Sequence, residues 1–273
     1  MSTDKSDKEL AFLHELYVAT DWGERFAELM DEHVGLPKKG RILYVAAGTG
    51  GHAMALQERM EDDVRLVCVD ESEERLELAR VKALAVRAET EFRQSQLESL
   101  WFRDDQFELV LGDGSLVAPE RLPEMLSEMV RVAVPGGTAA LGLVTATSFG
   151  EFFSIYWEAL RNTGLESHGS DVEALIKELP TVSNVEAMAA REGLDAVTSW
   201  TRVEEFNYES GEEFLNAPLI TDFLLKSWLE SLPDDETRAT ISQEIARLID
   251  EERQDMDFTI SVKATLVSGR KTA

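Results

Sequence analysis

RILYVAAGTGGHAMAL, residues 41–56, runs from an apolar, strand-like stretch through a glycine turn into a helix pattern. Gly48 and Gly50, with the small residues Ala46 and Ala47 before them, let the backbone turn tightly and let a ligand approach the peptide groups. The helix that follows offers unpaired N–H groups and the positive end of its dipole, so the turn suits an anionic or carboxylate-bearing ligand. Residues 48–53 also satisfy G-x-G-x-x-A, with Asp70 about twenty residues downstream, where a dinucleotide site places its ribose ligand. A turn that only packs a helix against a strand stays open as the alternative.

Working outward, strand and helix patterns alternate. Strands are expected at 41–46, 65–70, 90–95, 106–112 and 138–145, and helices at 51–60, 72–87 and 119–133. In the last helix Leu122, Met125, Leu126, Met129, Val130 and Ala133 recur at helical spacing, which gives it one face to lay on a sheet. VPGG at 134–137 ends it. Such alternation implies right-handed βαβ units and a five-stranded parallel sheet. Upstream, residues 9–34 read as helical packing broken near TDWG at 20–23. Downstream, SFGEFFSIYWEALRN at 148–162 reads as a helix with Phe149, Phe152, Phe153, Tyr156 and Trp157 on one face. Two further strands, 194–208 and 257–271, are expected as a partly antiparallel edge pair, with helices near 211–230 and 235–253 between them. The organisation this implies is an N-terminal helical cap at 1–38 and one domain at 39–273, with helical insertions at about 164–193 and 209–255.

Composition narrows the function. A chain of 273 residues with 44% hydrophobic content supports one large α/β domain with a sizeable core. Asp and Glu outnumber Lys and Arg by 53 to 27, a formal charge of −26, which repels a phosphate backbone and makes a nucleic-acid substrate improbable. The N-terminus is charged, and no run approaches the ~20 apolar residues of a membrane helix, so no membrane association and a cytoplasmic location are expected. Cys68, in RLVCVD, reads as a small core residue.

Taken together, LYVAAGTGG, VDESEERLELAR and VAVPGGTAALGLV resemble the class I S-adenosylmethionine-dependent methyltransferases, over roughly residues 10–145 and again at the final strand. The resemblance implies a doubly wound, mostly parallel seven-stranded α/β sheet with an antiparallel edge strand, and S-adenosylmethionine as cofactor. Carried over position by position, it implies cofactor contacts at Ala46, Gly48, Gly50, Asp70, Glu71, Gln96, Leu97 and Asp113, with the Asp70 carboxylate on the ribose hydroxyls. Three departures stand out. Tyr44 replaces an acidic residue that helps orient the methionine part of the cofactor, Ala46 replaces the first glycine, and Gln96 stands where many relatives place an aspartate near the adenine. Two rival readings are an NAD(P)-dependent oxidoreductase and a catalytically silent cofactor-binding protein that works in assembly.

Methyl transfer needs no protein nucleophile, and the sequence offers no nucleophilic triad signature or H-E-x-x-H zinc pattern. Asp113, in LVLGDGSL at the carboxyl edge of the fourth strand, is the best-placed base for a hydroxyl acceptor. The four histidines are expected on the surface or in packing, with only His52 adjoining the glycine turn. Tyr17 and Trp22 are lid candidates on the resemblance alone, and Phe149, Phe153 and Trp157 are candidates for a pocket wall or for core. A small, partly apolar molecule methylated on oxygen, nitrogen or carbon is the expected acceptor. The apolar helix around Phe223 and Trp228 needs a cover, either over substrate or in a homodimer.

Overall fold

A computed structural model describes residues 5–252 and 256–273; the first four residues of the expected cap and residues 253–255 of the second expected insertion lie outside them. Contacts divide the chain into two compact units, one of Met1–Leu143, Val182–Arg202 and Ala264–Ala273, the other of Val144–Thr181 and Val203–Lys263.

The first unit begins with α1 (Asp7–Leu13), whose capping box pairs Ser6 with Glu9. No break occurs at TDWG. The chain instead passes through a π-helical stretch, His14–Gly23, directly into α2 (Glu24–His33), the wider turns absorbing residues that read as an interruption. Long π-helical runs are rare and mark functional sites more often than ordinary helix does. Then come β1 (Gly40–Val45), α3 (Gly51–Arg59), β2 (Val64–Asp70), α4 (Glu73–Val86), β3 (Glu91–Gln94), β4 (Phe107–Asp113), α5 (Leu122–Val132) and β5 (Ala133–Val144). The remaining helices are α6 (Gly150–Asn162), α7 (Gly169–Glu178), α8 (Val182–Arg191), α9 (Gly211–Asn216), α10 (Leu225–Trp228) and α11 (Asp235–Glu252). The last two strands are β6 (Leu194–Tyr208) and β7 (Phe258–Lys271).

The seven strands lie in the order β3-β2-β1-β4-β5-β7-β6. The first five are parallel, with Val45 opposite Val69 on one side and Gly112 on the other. The β5 strand starts earlier than the sequence suggests. Ala133 pairs with Phe107 and Thr138 with Leu109, so VPGG bulges out between two ladder positions instead of preceding the strand. At the far side Thr272 N donates to Gly193 O, and Thr201 and Thr265 share a hydroxyl bond. These contacts run the two strands in opposite directions, making the expected antiparallel pair, with β6 outermost.

One face of this sheet is covered by α5, whose Leu122, Met125, Leu126 and Met129 join Leu43, Val45, Val69 and Val110 in a single buried cluster. Packing is close enough that a Cβ on Gly112 would sit 2.7 Å from Met129 Sδ. Cys68 is fully buried, as its strand pattern implies. The strand order turns back on itself between β1 and β4, and in open α/β sheets such a reversal opens a crevice at the carboxyl ends.

In the second unit the aromatic face of α6 forms core. Phe152 stacks on Trp228 at 4.3 Å between ring centroids, Phe149 meets Trp228 at 5.0 Å, and Phe214 lies 5.9 Å from Phe152. Pro218 interrupts the expected 211–230 helix, leaving α9, a π-helical turn at Leu219–Leu224, and α10.

Candidate functional site

The turn after β1 is built from left-handed residues. Ala46, Gly48 and Gly50 have φ of 56°, 56° and 77°. A Cβ on Gly50 would come within 2.8 Å of Ala79 Cβ on α4, so this glycine is required by helix packing as well as by its dihedral. Ala46 holds the same kind of conformation with a side chain, a strained arrangement of about 1 to 2 kcal/mol for an L-residue. Ala47 N donates to Val69 O at 3.0 Å and Gly48 N to Asp70 Oδ2 at 2.8 Å, tying the turn to the tip of β2.

A cavity of about 560 Å³ opens over this turn, within the usual range for a small-molecule site. Its wall includes the turn, Asp70 and Glu71 after β2, Leu97, and Asp113 and Ser115 after β4. The π-helical stretch and α2 supply the rest, with Val18, Trp22 and Ala27 among them. Among the described residues no side chain caps the N-terminus of α3, so its first-turn N–H groups carry no such partner where Gly50, Gly51 and His52 meet the cavity. Thr49 is buried in the same wall, and its hydroxyl has no hydrogen-bond partner among the described residues.

Asp70 is buried and heavily engaged. Its Oδ1 accepts from Ser72 N at 2.9 Å and from Arg75, whose Nη2 lies 2.7 Å away. Oδ2 accepts from Gly48 alone among the described bonds, which leaves one lone-pair position there. Ser72 meanwhile caps α4 by accepting from Arg75 N, so Asp70 is spared that task.

Charges around the cavity are sorted by sign. Its three cations are each held by a carboxylate: Arg75 by Asp70, Lys82 by Glu15 at 2.7 Å, and Arg121 by Glu71 at 2.6 Å. Carboxylates remain in surplus, with Glu24, Glu28, Asp31 and Asp113 also in the wall. Burial raises the Asp113 carboxyl above its usual range against the hydrogen bonds of Ser115, whose N–H donates to Oδ1 at 3.0 Å. Ser115 Oγ in turn accepts from Trp22 Nε1 at 2.9 Å, which locks the indole into the wall.

His14 lies against the turn. A Cβ on Gly48 would approach its Cε1 within 2.9 Å, and burial, helped by the Arg75 charge, pushes its pKa down to about 4. His52 is therefore not alone beside the turn. Tyr44, which stands in the acidic position of the resemblance, bonds His52 Nδ1 through its hydroxyl at 2.9 Å, and His52 Nε2 meets Asp31 Oδ1 at 2.9 Å.

Of the residues singled out from sequence, Ala46, Gly48, Gly50, Asp70, Glu71, Leu97, Asp113 and Trp22 meet in the cavity wall. Gln96 does not, since its side chain is exposed and its backbone bridges to Ser99. Tyr17 is exposed on the π-helical stretch, away from the wall. Phe149 and Phe153 are buried in the α6 cluster of the second unit, and Trp157 stands over Gly169 beside a small depression there. An aromatic stripe at helical spacing has packed as core. Sequence reading missed His14, Asp31, Thr49 and Arg75. Arg75 alone carried a local signal, in the first turn of α4 five residues after Asp70.

Residues 42–137 match a family model described as a methyltransferase domain. Demethylmenaquinone methyltransferase of Renibacterium salmoninarum is 29% identical over 136 residues, which cover 50% of this chain and 54% of that protein. The chain spans about half the length of the curated relatives it matches. Among solved structures, the YcgJ protein of Bacillus subtilis superposes with a TM-score of 0.61 at 20% identity, covering 92% of this chain and 99% of that one. Haemonchus contortus phosphoethanolamine N-methyltransferase 2, solved with phosphomonomethylethanolamine and S-adenosylhomocysteine, gives 0.57 at 15% identity, covering 100% of this chain and 59% of that one. These likenesses show the fold. Thr145 N donates to Lys263 O and Phe149 N to Ser261 O, so β7 runs antiparallel beside β5, where a dinucleotide enzyme would continue into a second parallel half, and this runs against the oxidoreductase reading. By its matched domain, its relatives and its sheet order, the chain is similar to the class I S-adenosylmethionine-dependent methyltransferases.

Proposed function

We propose that this chain transfers a methyl group from S-adenosylmethionine to a small, partly apolar molecule inside the cavity over the β1 turn. The observation that carries the reading is the convergence in one 560 Å³ space of a glycine turn, an uncapped helix start, a buried unpartnered hydroxyl and the β2 carboxylates. The fit to the cofactor is chemical. Thr49 Oγ1 and the α3 N–H groups suit its carboxylate, the free position on Asp70 Oδ2 suits one ribose hydroxyl, and Leu97 suits the adenine face. A second hydroxyl on Asp70 requires Arg75 to give way. The surplus of carboxylates suits a cationic sulfonium.

The bound cofactor supplies a methyl carbon that an acceptor lone pair displaces from a neutral thioether leaving group. The chain's own residues hold the acceptor in line, and such positioning is worth up to about 7 to 11 kcal/mol in well-oriented systems. Trp22, Val18 and Ala27 provide the apolar wall that keeps water out, and Asp113 is the carboxylate we place nearest the acceptor. Carbon, oxygen and nitrogen acceptors all fit this scheme; the demethylmenaquinone methyltransferase relative supports a ring-bearing organic acceptor. We take residues 1–38 as a cap on the methyltransferase domain at 39–273, with helical insertions at 164–193 and 209–255.

Calorimetric titration with S-adenosylhomocysteine and with NADH tests the reading. Binding of the first and not the second is expected. Tight binding of NADH with no binding of S-adenosylhomocysteine would overturn it.

A further inference from the structure

Tyr44, His52 and Asp31 form a hydrogen-bonded chain that the cofactor reading leaves without a task. All three border the cavity. Asp31 is also bonded by Arg59; burial works to raise its carboxyl, and the bonds from His52 and Arg59 outweigh that and hold it low. An ionised carboxylate only accepts, so His52 Nε2 donates to Asp31 and Nδ1 is left as the acceptor. The Tyr44 hydroxyl then donates to Nδ1. Its oxygen makes no other hydrogen bond among the described residues and keeps its lone pairs, in a place where the resemblance has a carboxylate.

Exposure rises along the chain. Tyr44 is 3% exposed, the His52 side chain 9% and the Asp31 side chain 29%. A proton entering at Tyr44 therefore travels outward. The charged groups facing His52 are Asp31 from α2, in contact, Asp113 at the end of β4 and Arg59 on its own helix. Asp113 is the competing proton acceptor, half-buried, and its bond among the described residues is to Ser115, which leads back to the buried Trp22 and not outward.

We propose that Tyr44, His52 and Asp31 form a proton relay that takes the proton from an ionisable hydroxyl of the methyl acceptor and passes it toward solvent. The proposal rests on the methyl-transfer reading. The acceptor's O–H bond breaks as an O–H bond forms to Tyr44 Oη, and the tyrosine's own proton moves to His52 Nδ1. The pair left on the acceptor, on oxygen or conjugated to a ring carbon, forms the new bond to the methyl carbon, and the carbon–sulfur pair leaves with sulfur. Tyr44 is the catalytic residue; His52 and Asp31 act through it. The acceptor class this selects is an enol or phenol.

The test uses the intact chain, S-adenosylhomocysteine and 4-nitrophenol, whose ionised form has its own visible absorption band. At a pH below the probe's solution pKa, the complex with the wild-type chain is expected to show the phenolate band. Its binding heat is expected to be independent of buffer ionisation enthalpy, because the proton moves to His52 and not to solvent. Tyr44→Phe and His52→Gln should lose the band while still binding S-adenosylhomocysteine. Failure to bind S-adenosylhomocysteine sinks the methyl-transfer reading and the relay with it. Binding of S-adenosylhomocysteine with the probe excluded or neutral, or a band that survives in Tyr44→Phe, overturns the relay alone.

Discussion

The backbone N–H of Gly48 donates to Asp70 Oδ2 at 2.8 Å, so the turn after β1 and the tip of β2 are held by one carboxylate. The same side chain anchors Arg75 and the start of α4 through its other oxygen. Replacing Asp70 by alanine strands two backbone donors and a guanidinium at once. The expected loss of stability is about 2 to 4 kcal/mol in denaturant melts. Affinity for S-adenosylhomocysteine should fall tenfold or more, the loss of a charge-assisted bond of about 1.5 to 3 kcal/mol. An unchanged dissociation constant would place the ribose elsewhere.

Ala46 bears a side chain at φ 56°, where a glycine is relaxed. Ala46→Gly should relieve about 1 to 2 kcal/mol of strain and give back about 0.5 to 1 kcal/mol in unfolded-state entropy. A net stabilisation of about 0.5 to 1 kcal/mol is the expected result, read as a raised midpoint in chemical denaturation. A destabilised variant would show that the methyl group of Ala46 packs productively.

Gly50 and Gly51 are adjacent and should respond in opposite ways. An alanine at Gly50 meets Ala79 at 2.8 Å from a left-handed backbone, whereas nothing lies within 4 Å of a Cβ at Gly51. Gly50→Ala is expected to destabilise by about 2 to 4 kcal/mol from strain and overpacking, and Gly51→Ala, at the start of α3, to stabilise by about 0.5 kcal/mol. Parallel thermal melts of the two variants check both signs.

His14 is held neutral, its pKa lowered to about 4 by burial and the Arg75 charge from an ordinary value near 6.5. The unfolded chain therefore binds the histidine proton more tightly than the folded one. The stability this contributes is complete above about pH 6.5 and is lost as pH falls toward 4, by on the order of 3 kcal/mol. The difference in unfolding free energy between wild type and His14→Gln should shrink through that window. A constant difference from pH 7 to pH 4 would mean that His14 titrates normally.

The parallel half of the sheet was readable because its signals are local: apolar runs of strand length, helical spacing in α5, and glycines at a turn. Asp70, Gly48 and Asp113 follow from the same logic, since each sits at the carboxyl end of a strand. What assembles the other wall of the cavity is not local. His14 and Trp22 come from a segment whose π-helical geometry read as a broken helix, Asp31 comes from α2 beyond it, and that geometry sets which side chains face the turn. Gln96 was expected beside the ligand, with Leu97, from the resemblance, but Leu97 alone takes the wall because the short bridge to Ser99 turns Gln96 outward. The α6 aromatics were open between pocket wall and core, and the stripe found core partners in Trp228 and Phe214.

The most direct test of the central claim is a crystal structure of the chain soaked with S-adenosylhomocysteine. The account predicts the nucleoside in the cavity over residues 46–50, with a ribose hydroxyl on Asp70 and the adenine against Leu97. Density for the nucleoside at any other place on the chain would contradict it.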